Sequence, residues 1–360
     1  MDVFAALRSR PFLAAEAYGS TAVAEAERAR YANRFWHPLA CVSQLPPGSC
    51  LAVSLLDQPI LLSHPVGGPP RAFLNRCPHR GVALQDPSAG TVLCRRLVCP
   101  YHGWTYGLDG TLLAAAREAD FLEPFERGAW PLPSLPCQRL GSLIWVALGP
   151  NPIPLEEQLD LVLAEAGPLL EQPLLLLAEG TQALACNWKI AHDNTLDDYH
   201  VAIAHPTTLH REQGPVRHYR YGLSRCATLL ATPHPTGGEF LTFGLAPWTH
   251  WLFWPDGRQV LIQFRPTTPS QCQMGVWLLG LAERAPEAQA WLRQILAFLA
   301  EDQALVEAAQ TGYASGLVPG PPHRLEQRIL QQQALYADLM GDALKQPSGP
   351  EGCSGEGCSA

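Results

Sequence analysis

The chain has 360 residues, 47% of them apolar, and a formal net charge of −8. That length suggests two domains, each able to bury its own core. The acidic balance and the lack of any Lys/Arg run argue against a nucleic-acid partner, and no apolar stretch is long enough to cross a bilayer as a helix.

Residues 1–36 are rich in Ala, Glu and Arg and predict an N-terminal helical segment. It has an acidic residue at position 2 and little apolar length, so it does not read as a secretory signal, and a cytoplasmic location is expected. Over 37–150 the pattern turns to alternating apolar residues broken by Pro and Gly, the chemistry of strands and turns. The proline-rich LGPNPIPLEE stretch, 148–157, marks a boundary. Across 151–345, helical patterns at 155–166, 187–203, 285–310 and 322–344 alternate with strand patterns at 218–231, 250–265 and 272–282, which predicts an α+β domain. Residues 346–360 are Gly/Ser-rich and predict a disordered tail, in which Cys353 and Cys358 have no further ligand nearby. Of the eleven cysteines, Cys41, Cys50, Cys94, Cys137, Cys186, Cys226 and Cys272 lack ligand spacing and read as core thiols.

Cys77, His79, Cys99 and His102 stand apart, in CPHRG (77–81) and CPYHGW (99–104). The pattern C-x-H-x19-C-x2-H does not open on the paired cysteines usual for a zinc knuckle. Two thiolates and two imidazoles are what a Rieske-type 2Fe-2S cluster needs, sulfur on one iron and nitrogen on the other. Pro78, Gly81, Pro100 and Gly103 suit two tight loops closing over such a cluster. A single zinc ion is the alternative on ligand chemistry.

Further along, NTLDDYHVAIAHP carries D-x2-H-x4-H, with Asp197, His200 and His205. On an ideal helix Asp197 and His200 are neighbours at i and i+3, but His205 lies about 140° round from His200. Pro206 predicts that the helix ends at His205, which frees that ring to turn back. Two imidazoles plus a carboxylate make the facial triad of non-haem Fe(II) oxygenases.

The two loops resemble the Rieske domain of ring-hydroxylating oxygenase large (alpha) subunits. Rieske proteins of the quinol oxidases carry an additional cysteine in each loop, where this chain has Val82 and Tyr101, so the oxygenase and ferredoxin branches fit better. A small ferredoxin would stop near residue 150. The resemblance implies an N-terminal all-β Rieske 2Fe-2S domain followed by an α+β catalytic domain, with a central antiparallel sheet flanked by helices. It also implies a third iron ligand from a later helix. AFLAEDQALVEAAQTG resembles that element, with Asp302 as the ligand and Glu301 as its nearest rival. In the family an aspartate before the first histidine ligand bridges to a cluster histidine of the neighbouring subunit. Asp197 and His102 match those roles, and the arrangement implies a head-to-tail ring, a homotrimer.

A one-electron carrier beside an open ferrous site implies reductive activation of O2. The chain lacks a dinucleotide fingerprint and plant-type ferredoxin spacing, so its electrons come from a separate flavin/iron-sulfur reductase or ferredoxin. In APWTHWLFWPDG, Trp248, His250 and Trp254 share one face of a strand, an aromatic wall suited to a quaternary amine or an arene. The expected function is the terminal oxygenase of a Rieske non-haem iron system, hydroxylating or oxidatively demethylating a small organic substrate. A Rieske electron-transfer or redox-sensing protein with a vestigial mononuclear site is the alternative.

Overall fold

The computed structural model describes residues 11–208, 210, 213–317 and 319–344. Residues 1–10 and the tail from 345, with Cys353 and Cys358, lie outside the described residues.

Three antiparallel sheets build the first half. Thr91–Leu93, Ser49–Leu55, Gln58–His64, Arg71–Leu74 and Ser134–Leu135 form a five-stranded sheet in that spatial order. The hairpin at its centre turns through Leu56 and Asp57, both at positive φ, the two-residue connection whose twist matches that of the strands. Leu97–Val98, Thr105–Tyr106 and Leu112–Ala114 make a small sheet that carries the second metal loop at its first turn. Trp36–Cys41, Leu143–Ala147 and Cys137–Leu140 form a base. These strands have the alternation and turn residues that the sequence predicts over 37–150.

The second half is built on a seven-stranded antiparallel sheet. Six strands run as a meander, Arg220–Leu223, Ala227–Pro233, Glu239–Leu245, Thr249–Phe253, Gln259–Thr268 and Gln271–Gly280, and Leu175–Leu184 returns to lie beside the last. Two predicted strands are therefore hairpins. Over 218–231 the chain turns at Ser224, whose hydroxyl accepts from Ala227 N at 3.2 Å while its own N–H donates to Ala227 O at 2.9 Å. Over 250–265 it turns through Trp254–Arg258, with Gly257 at φ 85°. Apolar alternation continues on both sides of each turn, so periodicity alone merges the strands.

The helices Trp188–Leu196, Ala288–Ala314 and Gln327–Met340 cover one face of this sheet. The predicted helix over 187–203 is broken: it ends at Leu196, and a four-residue helix, Val201–Ala204, follows. The helix Asp160–Leu170 lies on the other face. Leu196 fits only because Gly244 has no side chain, since a Cβ there would lie 2.2 Å from Leu196 Cδ2 and 2.7 Å from Thr228 Oγ1. Gly244→Ala is expected to cost about 1–3 kcal/mol through overpacking, read as a lowered thermal midpoint.

The N-terminal segment straps the first of these helices in place. Glu27 accepts from Trp188 Nε1 at 2.9 Å and Tyr336 Oη at 2.6 Å, and it pairs with the buried Lys189 ammonium, which lies over the Trp188 and Tyr336 rings. A buried ion pair persists only when its remaining polar atoms are satisfied in this way. Apolar packing is shared between the halves. Trp36 and Trp145 of the base strands belong to one core with Trp251 and Phe253, while Leu39, Ile144 and Val146 join another with Trp248 and Phe264. A separate small core, including Cys77, Cys99, Trp104 and Tyr106, underlies the metal loops.

Candidate metal centres

The two cysteine-histidine loops repeat one design. Gly81 N donates to Cys77 O at 2.8 Å with Gly81 at φ 75°, and Gly103 N donates to Cys99 O at 3.0 Å with Gly103 at φ 68°. Each loop is closed at its neck, Cys77 N to Val82 O and Cys99 N to Trp104 O, both at 2.8 Å. Cys77 and Cys99 are buried, and burial pushes the Cys77 thiol up, with a Cys99 contact adding to that. His79 and His102 sit at the surface with their Nδ1 atoms 3.1 Å apart. Trp104 stacks on the His79 ring, centroids 5.0 Å apart and planes parallel within 1°. Sulfur inside and nitrogen outside is the donor order of a two-iron cluster with one sulfur-held and one imidazole-held iron. Among the described residues, the one set of three or more ligand atoms lying within 4.8 Å of one another is elsewhere.

That set is His200, His205 and Asp302. His205 Nε2 lies 2.8 Å from Asp302 Oδ1 and 3.3 Å from His200 Nε2, and His200 Nε2 lies 3.4 Å from Asp302 Oδ1. His205 is the C-cap of Val201–Ala204, at φ −123° and ψ 48°, out of helical geometry as the following proline requires. Asp302 projects from the long helix and is largely buried. Glu301, its predicted rival, takes a different position: its carboxylate lies 2.6 Å from His205 Nδ1 and accepts from Thr208 Oγ1 at 2.8 Å. It fixes the ring so that Nε2 faces the cluster of donors, the usual role of a carboxylate behind a metal-bound histidine. Two imidazole nitrogens and one carboxylate oxygen converging from three positions fit a divalent iron with open coordination sites.

Asp197 is reached by a route the sequence did not suggest. It is not on a helical face with His200 but ends the preceding helix in an extended conformation, φ −85° and ψ 97°. Its Oδ1 accepts from Tyr199 N at 2.8 Å and His200 N at 3.4 Å, starting the next turn, while Oδ2 lies 3.6 Å from His200 Nδ1. The carboxylate therefore stands behind His200 as Glu301 stands behind His205. Burial works against a charged His200 ring, yet Asp197 and Asp302 together hold its pKa up, to about 10. His200 and His205 in turn hold the Asp302 carboxyl below its ordinary value despite its burial. Below pH 10 the metal must displace a proton from His200, so Fe(II) affinity of the metal-free protein is expected to rise with pH, about tenfold per unit for each displaced proton. Titrating iron uptake between pH 6 and 8 measures that slope.

Asp198, adjacent in sequence, is buried against Arg328, 3.2 Å from Nη1, and Arg328 also donates to Thr242 O at 3.1 Å. This lock ties the Asp197–His200 turn to the sheet and the last helix. Nothing in the sequence signals a partner 130 residues away.

The structure does not place Trp248, His250 and Trp254 among the lining residues of the cavity that reaches His200; Trp248 instead borders a separate cavity of about 310 Å³ against the N-terminal segment, with Glu27, Arg28 and Asn187. The three share a sheet face as the alternation predicts, but that face is covered by helices. Trp248 packs against His37 and Trp188, Trp254 against Phe240 and Trp291, and His250 is buried, with its pKa pushed down by burial and by Arg328 and His192. Their size is used for core area. The cavity that reaches His200 is a different one, of about 340 Å³, lined among others by Asp193, Asn194, Asp197, Tyr313 and Glu326. Burial pushes the Asp193 carboxyl up to about 7, against the pull of Gln333 and Lys189.

Comparison with known proteins gives two family matches: Rieske [2Fe-2S] domain over residues 35–126, and ring hydroxylating alpha subunit (catalytic domain) over residues 171–342. The glycine betaine monooxygenase oxygenase subunit of Chromohalobacter salexigens is 33% identical over 175 residues, covering 48% of this chain and 38% of that protein. The carnitine monooxygenase oxygenase subunit of Acinetobacter pittii is 27% identical over 319 residues, covering 83% and 84%. Among solved structures, a quaternary ammonium Rieske monooxygenase in complex with gamma-butyrobetaine has a TM-score of 0.79 at 25% identity, covering 94% of this chain and 98% of the other. Naphthalene 1,2-dioxygenase from Rhodococcus sp. shares the fold, with a TM-score of 0.76 at 17% identity over 92% of this chain and 94% of the other.

Proposed function

Since this chain belongs to the ring-hydroxylating oxygenase alpha-subunit family, with a Rieske [2Fe-2S] domain ahead of its catalytic domain, we propose that it is the terminal oxygenase component of a Rieske non-haem iron system. The convergence of His200 Nε2, His205 Nε2 and Asp302 Oδ1 carries this reading, because a pure electron carrier has no use for it. We assign those three as iron ligands, Cys77, His79, Cys99 and His102 as cluster ligands, and the domains as 37–150 and 151–345. When bound, the cluster supplies single electrons and the ferrous ion supplies open positions for O2 reduction. The chain's own groups hold and orient. Glu301 fixes the tautomer of His205, Asp197 places a carboxylate 3.6 Å from His200 Nδ1, and Asp302 balances the charge. Exposed His102 is the group that Asp197 of a neighbouring chain would accept a hydrogen bond from.

That bridge makes the assembly head-to-tail, a homotrimer in the simplest closed form. Exposed apolar side chains flank both ends of it, Tyr101 beside His102, and Tyr199, Ile203 and Leu305 around Asp197 and His200. Such patches favour a protein partner. A separate reductase or ferredoxin supplies the electrons. A cytoplasmic location is favoured by the free state of the nine described cysteines; no helix among the described residues is long and apolar enough to cross a membrane.

For the substrate, the glycine betaine and carnitine relatives favour a quaternary amine. Arenes are the second class. The test is O2 uptake by iron-loaded protein with a surrogate reductase over quaternary amines, aromatic acids and aryl methyl ethers, with products read by mass spectrometry. Uptake coupled to an oxygenated or demethylated product is the expected result. An iron-filled site with no coupled product over a broad panel would point to the electron-transfer alternative.

A further inference from the structure

On the head-to-tail reading above, on which this inference rests, we propose that the segment Phe121–Glu126 of one chain seats in a specific cavity of the next. This contact sets the register in which cluster and iron meet.

The segment belongs to the cluster's own surroundings. Trp104, which stacks on His79, packs edge-on against Phe121 and Phe125, with centroids at 6.1 and 5.4 Å, and those two rings stack on each other at 4.3 Å. That packing fixes the segment beside the cluster histidines. It leaves Leu122 fully exposed, with Glu123 and Glu126 exposed near it. The neighbouring acids are neutralised within the chain, Glu118 by Arg127 and Asp120 by Arg117. What projects is therefore a fully exposed leucine followed by two carboxylates, at the next position and four residues on.

A cavity of matching character lies next to Asp197. It has a volume of about 590 Å³, with Tyr219, Tyr221 and Leu325 in its walls and Arg217, His323 and Arg324 lining it too. No carboxylate is among its described lining residues, unusual for a chain of net charge −8. It is joined to the two residues that follow Asp197: Tyr199 stacks on His323 at 4.1 Å, and Asp198 N donates to Leu325 O at 3.4 Å. An exposed leucine followed by two carboxylates thus sits at the cluster end, and an apolar-walled cavity with guanidiniums at the iron end. Complementary charges of this kind steer encounter and reject other registers, while the buried apolar side chain supplies the anchor.

Sedimentation of the full-length holoprotein at about 0.15 M salt, together with the fraction of O2 uptake coupled to product, tests this. Arg217→Glu with Arg324→Glu is expected to weaken association at least about tenfold and to lower coupling, with cluster and iron contents unchanged. Leu122→Asp should do the same. Adding Glu123→Arg and Glu126→Arg to the arginine variant should restore both, since the charges are exchanged across the contact. Wild-type association and coupling in both the arginine variant and Leu122→Asp would overturn the proposed contact while leaving the oxygenase and its trimer standing. A wild-type protein that sediments as a monomer would overturn the head-to-tail reading itself, and this contact with it.

Discussion

Asp197→Asn is expected to retain both metals and to lose product formation by about 100-fold or more, at the upper end of what groups behind a metal ligand are worth. Asparagine keeps an oxygen where Asp197 Oδ1 accepts from Tyr199 N and His200 N, so the turn that aims His200 survives. It removes the charge that faces His200 Nδ1 and that would meet His102 of the next chain. Asp197→Ala removes the cap as well, at an added cost of about 1 kcal/mol in stability. Comparing the two separates electron delivery from local folding. Full turnover in both would refute the bridge, whereas cluster reduction at the wild-type rate with slow reoxidation on adding substrate and O2 is its signature.

His205→Ala is expected to abolish iron binding and turnover while leaving the red-brown cluster spectrum unchanged. His205 is fully buried and contributes the nitrogen closest to Asp302, so its loss leaves only two donors, His200 and Asp302. Asp302→Ala should behave alike, because removing the single carboxylate also removes the charge that a divalent ion needs. Glu301→Gln should be milder, about 10- to 100-fold in iron affinity, as an orienting partner and not a ligand. Metal analysis of the three variants beside the wild type settles the order. Equal iron loss in Glu301→Gln and Asp302→Ala would mean that Glu301 binds the metal directly.

The parts of this site that could be read from sequence are those whose partners are close along the chain. Cys77 with His79 and Cys99 with His102 carry their loop glycines beside them, and Pro206 marks where His205 leaves its helix. Asp197 beside His200 was also legible as a pair, but not the conformation that makes it one, because Asp and Asn compete for backbone N–H groups in ways a helical period ignores. Asp198 with Arg328 and Glu301 with His205 are joined only by the fold. The tryptophans misled for a simple reason. Alternation tells which side chains share a face, and it does not tell whether that face is covered by helices or lines a pocket.

The base strands Trp36–Cys41 and Leu143–Ala147 have a consequence for how the protein can be taken apart. Gln158 of the second half bonds both N–H and C=O of Trp36, and the tryptophans of these strands are buried against Trp251. Excising the first half as a free-standing ferredoxin would open that apolar seam to water. The two halves are thus one cooperative unit in calorimetric terms, and heating should melt cluster and catalytic sheet in a single transition, in contrast to the separate transitions of loosely tethered domains.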